Sequence, residues 1–131
     1  MKPTLATGAR GEARRRINSE HLPGFHDASL PPVLATPWML YIMEHAAFNA
    51  IAPHLDDDEQ SVGVGFEFEH LAPTPAGHTV VATAEITVID GNRVTLAFEA
   101  RDDEDLIGRG THVRAVVKLE RFRRFLSRKV R

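Results

Sequence analysis

The stretch "TPWMLYIMEHAAFNAIAPHL", Thr36 to Leu55, decides how the rest of the chain is read. Thr36 is a good helix N-cap, and Pro37 suits the first helical position, where the N–H that proline lacks would be unpaired anyway. The residues that follow are apolar on nearly every side until Pro53 and the acidic run "DDDE" at 56–59 close the segment. A helix without a polar stripe is one wrapped by the rest of its domain. One carboxylate, Glu44, interrupts it. In low dielectric such a group is costly unless paired and tends to hold its proton, which suits a general base. A Glu at a helix–sheet seam, bonded to backbone or reaching an open edge, is the plainer alternative, and pattern alone leaves both readings standing.

Working outward, the period changes after the helix from helical to alternating. In "SVGVGFEFEH", Val62, Val64, Phe66, Phe68 and His70 share one face of a half-buried strand. "HTVVATAEITVI" turns Val80, Ala82, Ala84, Ile86 and Val88 inward, "DGN" is a hairpin turn, and "RVTLAFEAR" answers with Val94, Leu96, Phe98 and Ala100. After "DDED" a last strand is expected to bury Ile107, Thr111, Val113, Ala115, Val117 and Leu119. Before the helix, "PGFHDASLPP" has room for one short strand near Phe25 to Leu30, and residues 1–22, polar and Arg-rich, are expected to form an irregular arm. The domain proper is therefore placed at 23–131, ending in a short helix with Phe122, Phe125 and Leu126 at helical spacing. One helix followed by a run of strands indicates an α+β domain in which a curved antiparallel sheet wraps one long central helix.

Bulk properties narrow the function. The chain has 131 residues, 43% of them hydrophobic and 26% charged, which fits one ordinary globular domain. Its net charge of −2 gives no global support for nucleic-acid binding. No stretch has the length of apolar sequence that a membrane span needs, and no secretion signal is visible, so a cytoplasmic protein is expected. There is no cysteine, which removes disulfides, thiolate nucleophiles and Cys-based zinc sites. None of the four serines lies in a G-x-S-x-G elbow, and the seven histidines show no compact ligand spacing, so no metal is expected. "GVGFEF" lacks the third glycine and the helix of a dinucleotide loop. From Lys118 to Arg131 seven basic residues face a single Glu, either a solvated helix face or a device for attracting phosphates.

His70 closes a strand in register with its apolar face and precedes the loop "LAPTPAG". Such a histidine is a satisfied rim residue or a proton carrier. Thr36 is explained by capping, yet its hydroxyl also lies where a helix start polarises its surroundings.

Three stretches, "ATPWMLYIMEHAAFNAIAPHL", "SVGVGFEFEHLAPTPAG" and "IGRGTHVRAVVKLERF", resemble the hot-dog-fold acyl-CoA thioesterases of the fluoroacetyl-CoA thioesterase type. The resemblance implies a catalytic set of Thr36, Glu44 and His70, with Gly63 offering a backbone N–H to the thioester oxygen. It implies hydrolysis of an acyl-CoA thioester to free acid and CoA, with no cofactor; and because a small curled sheet with one buried helix leaves an edge strand needing a partner, a homodimer is expected. Substrate-binding candidates are Gly63, Leu30, Leu34, Trp38 and Arg114, with Tyr41 a further wall of the acyl pocket. Leu30 and Leu34, in "SLPPVL", stand where an aromatic lid would guard a small substrate, so selectivity for fluoroacetyl groups does not carry over. A hot-dog hydratase or dehydratase and a non-catalytic acyl-CoA-binding module are the rival expectations. Expecting a hydroxyl beside the base, with no second acid in view, favours hydrolysis.

Overall fold

The computed structural model describes residues 1–24 and 29–130. Seven elements matter: β1 (Arg10–Arg16), α1 (Thr36–Ile51), β2 (Glu59–His70), β3 (Thr79–Asp90), β4 (Arg93–Arg101), β5 (Leu106–Lys118) and α2 (Leu119–Ser127). The strands form one antiparallel sheet in the order β1-β3-β4-β5-β2, curled around α1. This is the hot-dog arrangement expected from the sequence. Among the described residues no helix is long and apolar enough to cross a membrane.

α1 buries Met39, Ile42, Met43, Ala46, Ala47, Ala50 and Ile51 against the concave face of the sheet. From the other side come Val80, Ala82, Ala84 and Ile86 of β3 and Val94, Leu96, Phe98 and Ala100 of β4, the alternation expected for both strands. Gly91, with φ +59°, makes the tight β3–β4 turn. Val88 is the exception: the register shifts between Ile86 and Val88, and the bulge turns Val88 outward.

Four expectations need correction, and a fifth falls largely outside the described residues. Residues 10–16 are not an irregular lead-in but a strand, paired with β3 from Arg10↔Glu85 to Arg16↔Thr79. Its inward positions carry no apolar period because the helix comes too close for large side chains. A Cβ on Gly11 would collide with the backbone of Ala46 and Ala50, and Asn49 Nδ2 donates to the Glu12 carbonyl at 2.8 Å. The short strand placed near Phe25 to Leu30 falls largely outside the described residues, and Ser29 and Leu30 lie in a turn. The last strand is turned over, since β5 buries His112, Arg114 and Val116 while Val113, Ala115 and Val117 point outward. An extra residue near Ile107, where pairing steps from Ala100↔Gly108 to Arg101↔Leu106, exchanges the faces. A bulge at Val64, between the pairs Gly63↔Arg114 and Gly65↔Val113, does the same in β2. Phe66, Phe68 and His70 thus keep the expected inward face, whereas Ser61 is buried in place of Val62. Finally, the α1 N-cap is Ala35, with no side-chain cap bond; Thr36 is the first helical residue.

The closeness of β1 to α1 is testable. Gly11→Ala should cost about 2–3 kcal/mol, the upper range for overpacking, because backbone rather than a pliable side chain meets the new methyl. Urea unfolding measures this; an unchanged midpoint would show that the strand can shift without loss.

Candidate active site

Two clusters of polar side chains lie along α1, one at its start and one near its middle. At its start, Thr36 Oγ1 lies 2.8 Å from His70 Nδ1. The pair opens into a cleft of about 420 Å³ whose walls include Leu34, Leu71, Ala72 and Pro73. Burial pushes the His70 imidazolium down from its ordinary pKa, with the Ala72 carbonyl pulling partly the other way, so the ring is neutral and able to take a proton. Its Nε2 is buried with no partner among the described residues. Thr36 is freed for this contact because capping is done by backbone: the Ala35 N–H donates to the His21 carbonyl at 2.8 Å.

The loop after His70 is pinned to the same place. Leu71 N–H donates to the Ile107 carbonyl at 2.6 Å and Leu34 N–H to the Thr74 carbonyl at 2.8 Å. Buried Thr74 donates its hydroxyl to Asp102 at 2.9 Å, and Asp102 also accepts from the N–H groups of Glu104 and Asp105. Burial alone would raise the Asp102 pKa. The Asp105 and Glu104 N–H bonds and the Thr74 hydroxyl outweigh it and hold this carboxyl below its usual value, with His78 adding to the effect.

The second cluster surrounds Glu44. Its carboxylate is neither isolated nor deeply buried: the side chain is 36% exposed, and Oε2 accepts from Arg114 Nη1 at 2.9 Å. Arg114, only 4% exposed, spends the rest of its fork on Ser61, with Nε donating to the hydroxyl and Nη2 to the carbonyl, both at 2.9 Å. Its Nη1 also lies 3.1 Å from His112 Nε2. Gly63 completes the group, since a Cβ there would stand 2.6 Å from Glu44 Oε2. A glycine is what lets the carboxylate lie against β2.

The sequence-derived set is therefore divided. Thr36 and His70 are together, with Leu34 in their cleft, while Glu44, Gly63 and Arg114 form a separate group. Eight residues of helix separate Thr36 from Glu44, roughly 12 Å along the axis. Arg114 is committed to Glu44 and Ser61 rather than open to a substrate. Trp38 packs edge-on against His21 and Tyr41 under the Arg15 guanidinium, and Leu30 is exposed. Ser61 and His112 were missed because both sit on faces that the bulges exchange. The alternation of His112, Arg114 and Val116 was visible but lost to the more apolar odd-numbered set.

A curled antiparallel sheet on a single helix, with a hydroxyl–imidazole pair at the helix start, defines the class of hot-dog thioesterases. The family model for fluoroacetyl-CoA-specific thioesterase matches residues 17–120, and the chain belongs to that family of thioester-hydrolysing enzymes. It is 44% identical over 95 residues to the fluoroacetyl-CoA thioesterase of Streptantibioticus cattleyicolor, covering 72% of this chain and 68% of the relative. The crystal structure of a phenylalanine-to-alanine mutant of the fluoroacetyl-CoA-specific thioesterase FlK superposes with a TM-score of 0.87 at 35% identity, over 98% of this chain and 99% of that one. A thioesterase superfamily member from Thermus thermophilus gives a TM-score of 0.90 at 29% identity, over 98% and 94% of the two chains.

The Asp102 anchor sets an acid limit. Because its folded pKa is depressed, its contribution to stability is complete above the unfolded value of 3.8 and is lost as pH falls through the folded value. Melting temperatures should therefore drop on acidification below that point. In Asp102→Asn the acid slope should be shallower and neutral-pH stability lower; an unchanged slope would remove Asp102 as the titrating group.

Proposed function

We propose that this chain hydrolyses acyl-CoA thioesters with Thr36, His70 and Glu44, and that two copies are needed to assemble the set. The observation that carries the reading is the 2.8 Å contact between Thr36 Oγ1 and His70 Nδ1 at an apolar-walled cleft. In this mechanism His70 takes the Thr36 proton as the hydroxyl oxygen attacks the thioester carbonyl. The Gly63 N–H holds the developing oxyanion. The C–S bond then breaks, and the CoA thiolate takes the proton from His70. Water, deprotonated by Glu44, attacks the acyl-threonine; the C–O bond to Oγ1 breaks, Thr36 Oγ1 takes up the proton that Glu44 removed, passed through His70, and the free acid leaves. The acyl group lies along Leu34, Leu71, Ala72 and Pro73.

The homodimer is supported by the position of the two half-sites. Along α1 and β2, Thr36 at the helix start meets His70 at the strand end, while Glu44 in mid-helix meets Gly63 within the strand. β2 is an edge strand, with Val64 46% exposed, and Tyr41 on α1 is 51% exposed between the two clusters. A two-fold axis through this edge, passing between the two clusters, exchanges them and sets Glu44 and Gly63 of one copy beside Thr36 and His70 of the other. Basic α2 begins beside Glu59, at the end of β2 remote from its own His70, and so lies toward the second copy's cleft. We assign it the CoA phosphates.

Complementation tests the assembly. Thr36→Ala and Glu44→Gln homodimers should each lose roughly 10²-fold or more in turnover on an accepted acyl-CoA, the scale of general acid–base catalysis. Unfolded together and refolded, they should regain about a quarter of wild-type activity, since half the dimers are mixed and each mixed dimer holds one intact site. No recovery places the whole set in one chain. Wild-type turnover by both variants would overturn the roles given to Thr36 and Glu44, whereas no turnover by the wild-type chain on any acyl-CoA would leave only a binding module.

The α2 assignment has its own readout. Arg121→Gln with Arg124→Gln should raise KM more at low salt than at high salt, because ions screen exposed charges. Equal shifts would leave α2 a packing element alone.

A further inference from the structure

We propose that His112, as the neutral Nδ1–H tautomer, is a positioning residue: it ties down the β2 bulge that carries Gly63 and aims Arg114 at Glu44. The inference rests on the hydrolytic reading of the site.

The ring is fully buried and nearly parallel to two others. Phe66 stacks on it at 4.1 Å and 6°, and Phe98 lies to the side at 5.7 Å and 17°, itself 6.4 Å from Phe66. In this cluster both nitrogens are used. Nδ1 lies 2.8 Å from the Gly65 carbonyl, which can only accept, so Nδ1 carries the hydrogen. Nε2 lies 3.1 Å from Arg114 Nη1, which can only donate, so Nε2 offers its lone pair. The two contacts demand the same neutral tautomer and exclude the imidazolium. One end of the ring holds the residue just past the Val64 bulge; the other holds the guanidinium nitrogen that also donates to Glu44.

The charged groups around the ring are Arg114 on β5 and Glu44 on α1, the latter 3.9 Å from Nε2; β2 presents the Gly65 carbonyl and Phe66, and β4 presents Phe98. Burial pushes the His112 pKa down; the Gly65 carbonyl pulls it up, Arg114 pushes it further down and Glu44 pulls it up, leaving it below the ordinary histidine value. Should His112 gain a proton, Nε2 becomes a donor facing another donor. Arg114 is then released, and Glu44 is drawn from Arg114 toward the imidazolium. The base for the second step moves off its aim without leaving the site.

Three variants separate this from mere packing. His112→Phe keeps the stack and removes both bonds; turnover should fall about tenfold or more, the cost of a misaimed group, while KM changes much less. His112→Gln can return a carbonyl oxygen near the Nε2 position, so it should recover most of that loss and should lack the acid-side fall in turnover that comes from protonating residue 112. In His112→Asn the amide reaches only the Gly65 side, and turnover should stay low. If His112→Phe folds and keeps the wild-type turnover and pH profile, or if Gln is as impaired as Phe, the positioning role is wrong. Should the variants not fold, ¹⁵N NMR of the wild-type imidazoles decides: a protonated Nδ1 and bare Nε2 at neutral pH are required, and the reverse tautomer overturns the proposal. That measurement also stands apart from catalysis, so an enzyme inactive on every acyl-CoA would defeat the hydrolytic reading without touching the tautomer result.

Discussion

Burying a guanidinium is the constraint around which the β2–β5 half of the sheet is built. An arginine taken out of water is tolerable only if nearly all its donors are matched. Arg114 achieves this with partners from β2, α1 and its own strand: Ser61 through hydroxyl and carbonyl, Glu44 through a carboxylate oxygen, and His112, two residues before it, through its lone pair. Each partner imposes a condition. Ser61 must face inward, so β2 needs a bulge before Phe66 can also face inward. His112 must be neutral. The residue opposite Arg114 must be Gly63, because any side chain there would stand where the Glu44 carboxylate stands.

The same helix serves as core and as chemical scaffold, and the two duties are kept apart by its faces. Alanines at 46, 47 and 50 let strand β1 come up to the backbone, while Thr36, Tyr41 and Glu44 lie along the side the sheet leaves uncovered. Placing Thr36 one residue inside the helix frees its hydroxyl from capping. The His21 carbonyl takes over that task, and the anchor through Thr74 and Asp102 fixes the loop that carries His70 to meet it.

Legibility in the sequence followed how large the inward side chains are. The central helix and strands β3 and β4 could be read directly, since Val, Ile, Leu and Phe keep a clean period there. β1 could not, because its inward residue is Gly11 and the helix backbone occupies the space that an apolar side chain would have advertised. β5 was read on the wrong face because Val113, Ala115 and Val117 form the greasier set, while the inner face pairs His112 with Arg114. Thr36 and His70 were legible as members of one site through the family resemblance; that Glu44 has an arginine partner was not, since a seventy-residue separation carries no local signal.

The two edges of the sheet are finished differently, and this bears on how many copies can join. β1 is held down on the helix and studded with Arg10, Glu12, Arg14 and Arg16, charges that discourage a further strand from adding. β2 ends the sheet with glycines and exposed Val64. A sheet with one sealed and one open margin offers a single place for strand addition, so a second copy joining there would complete a pair and leave no edge for a third.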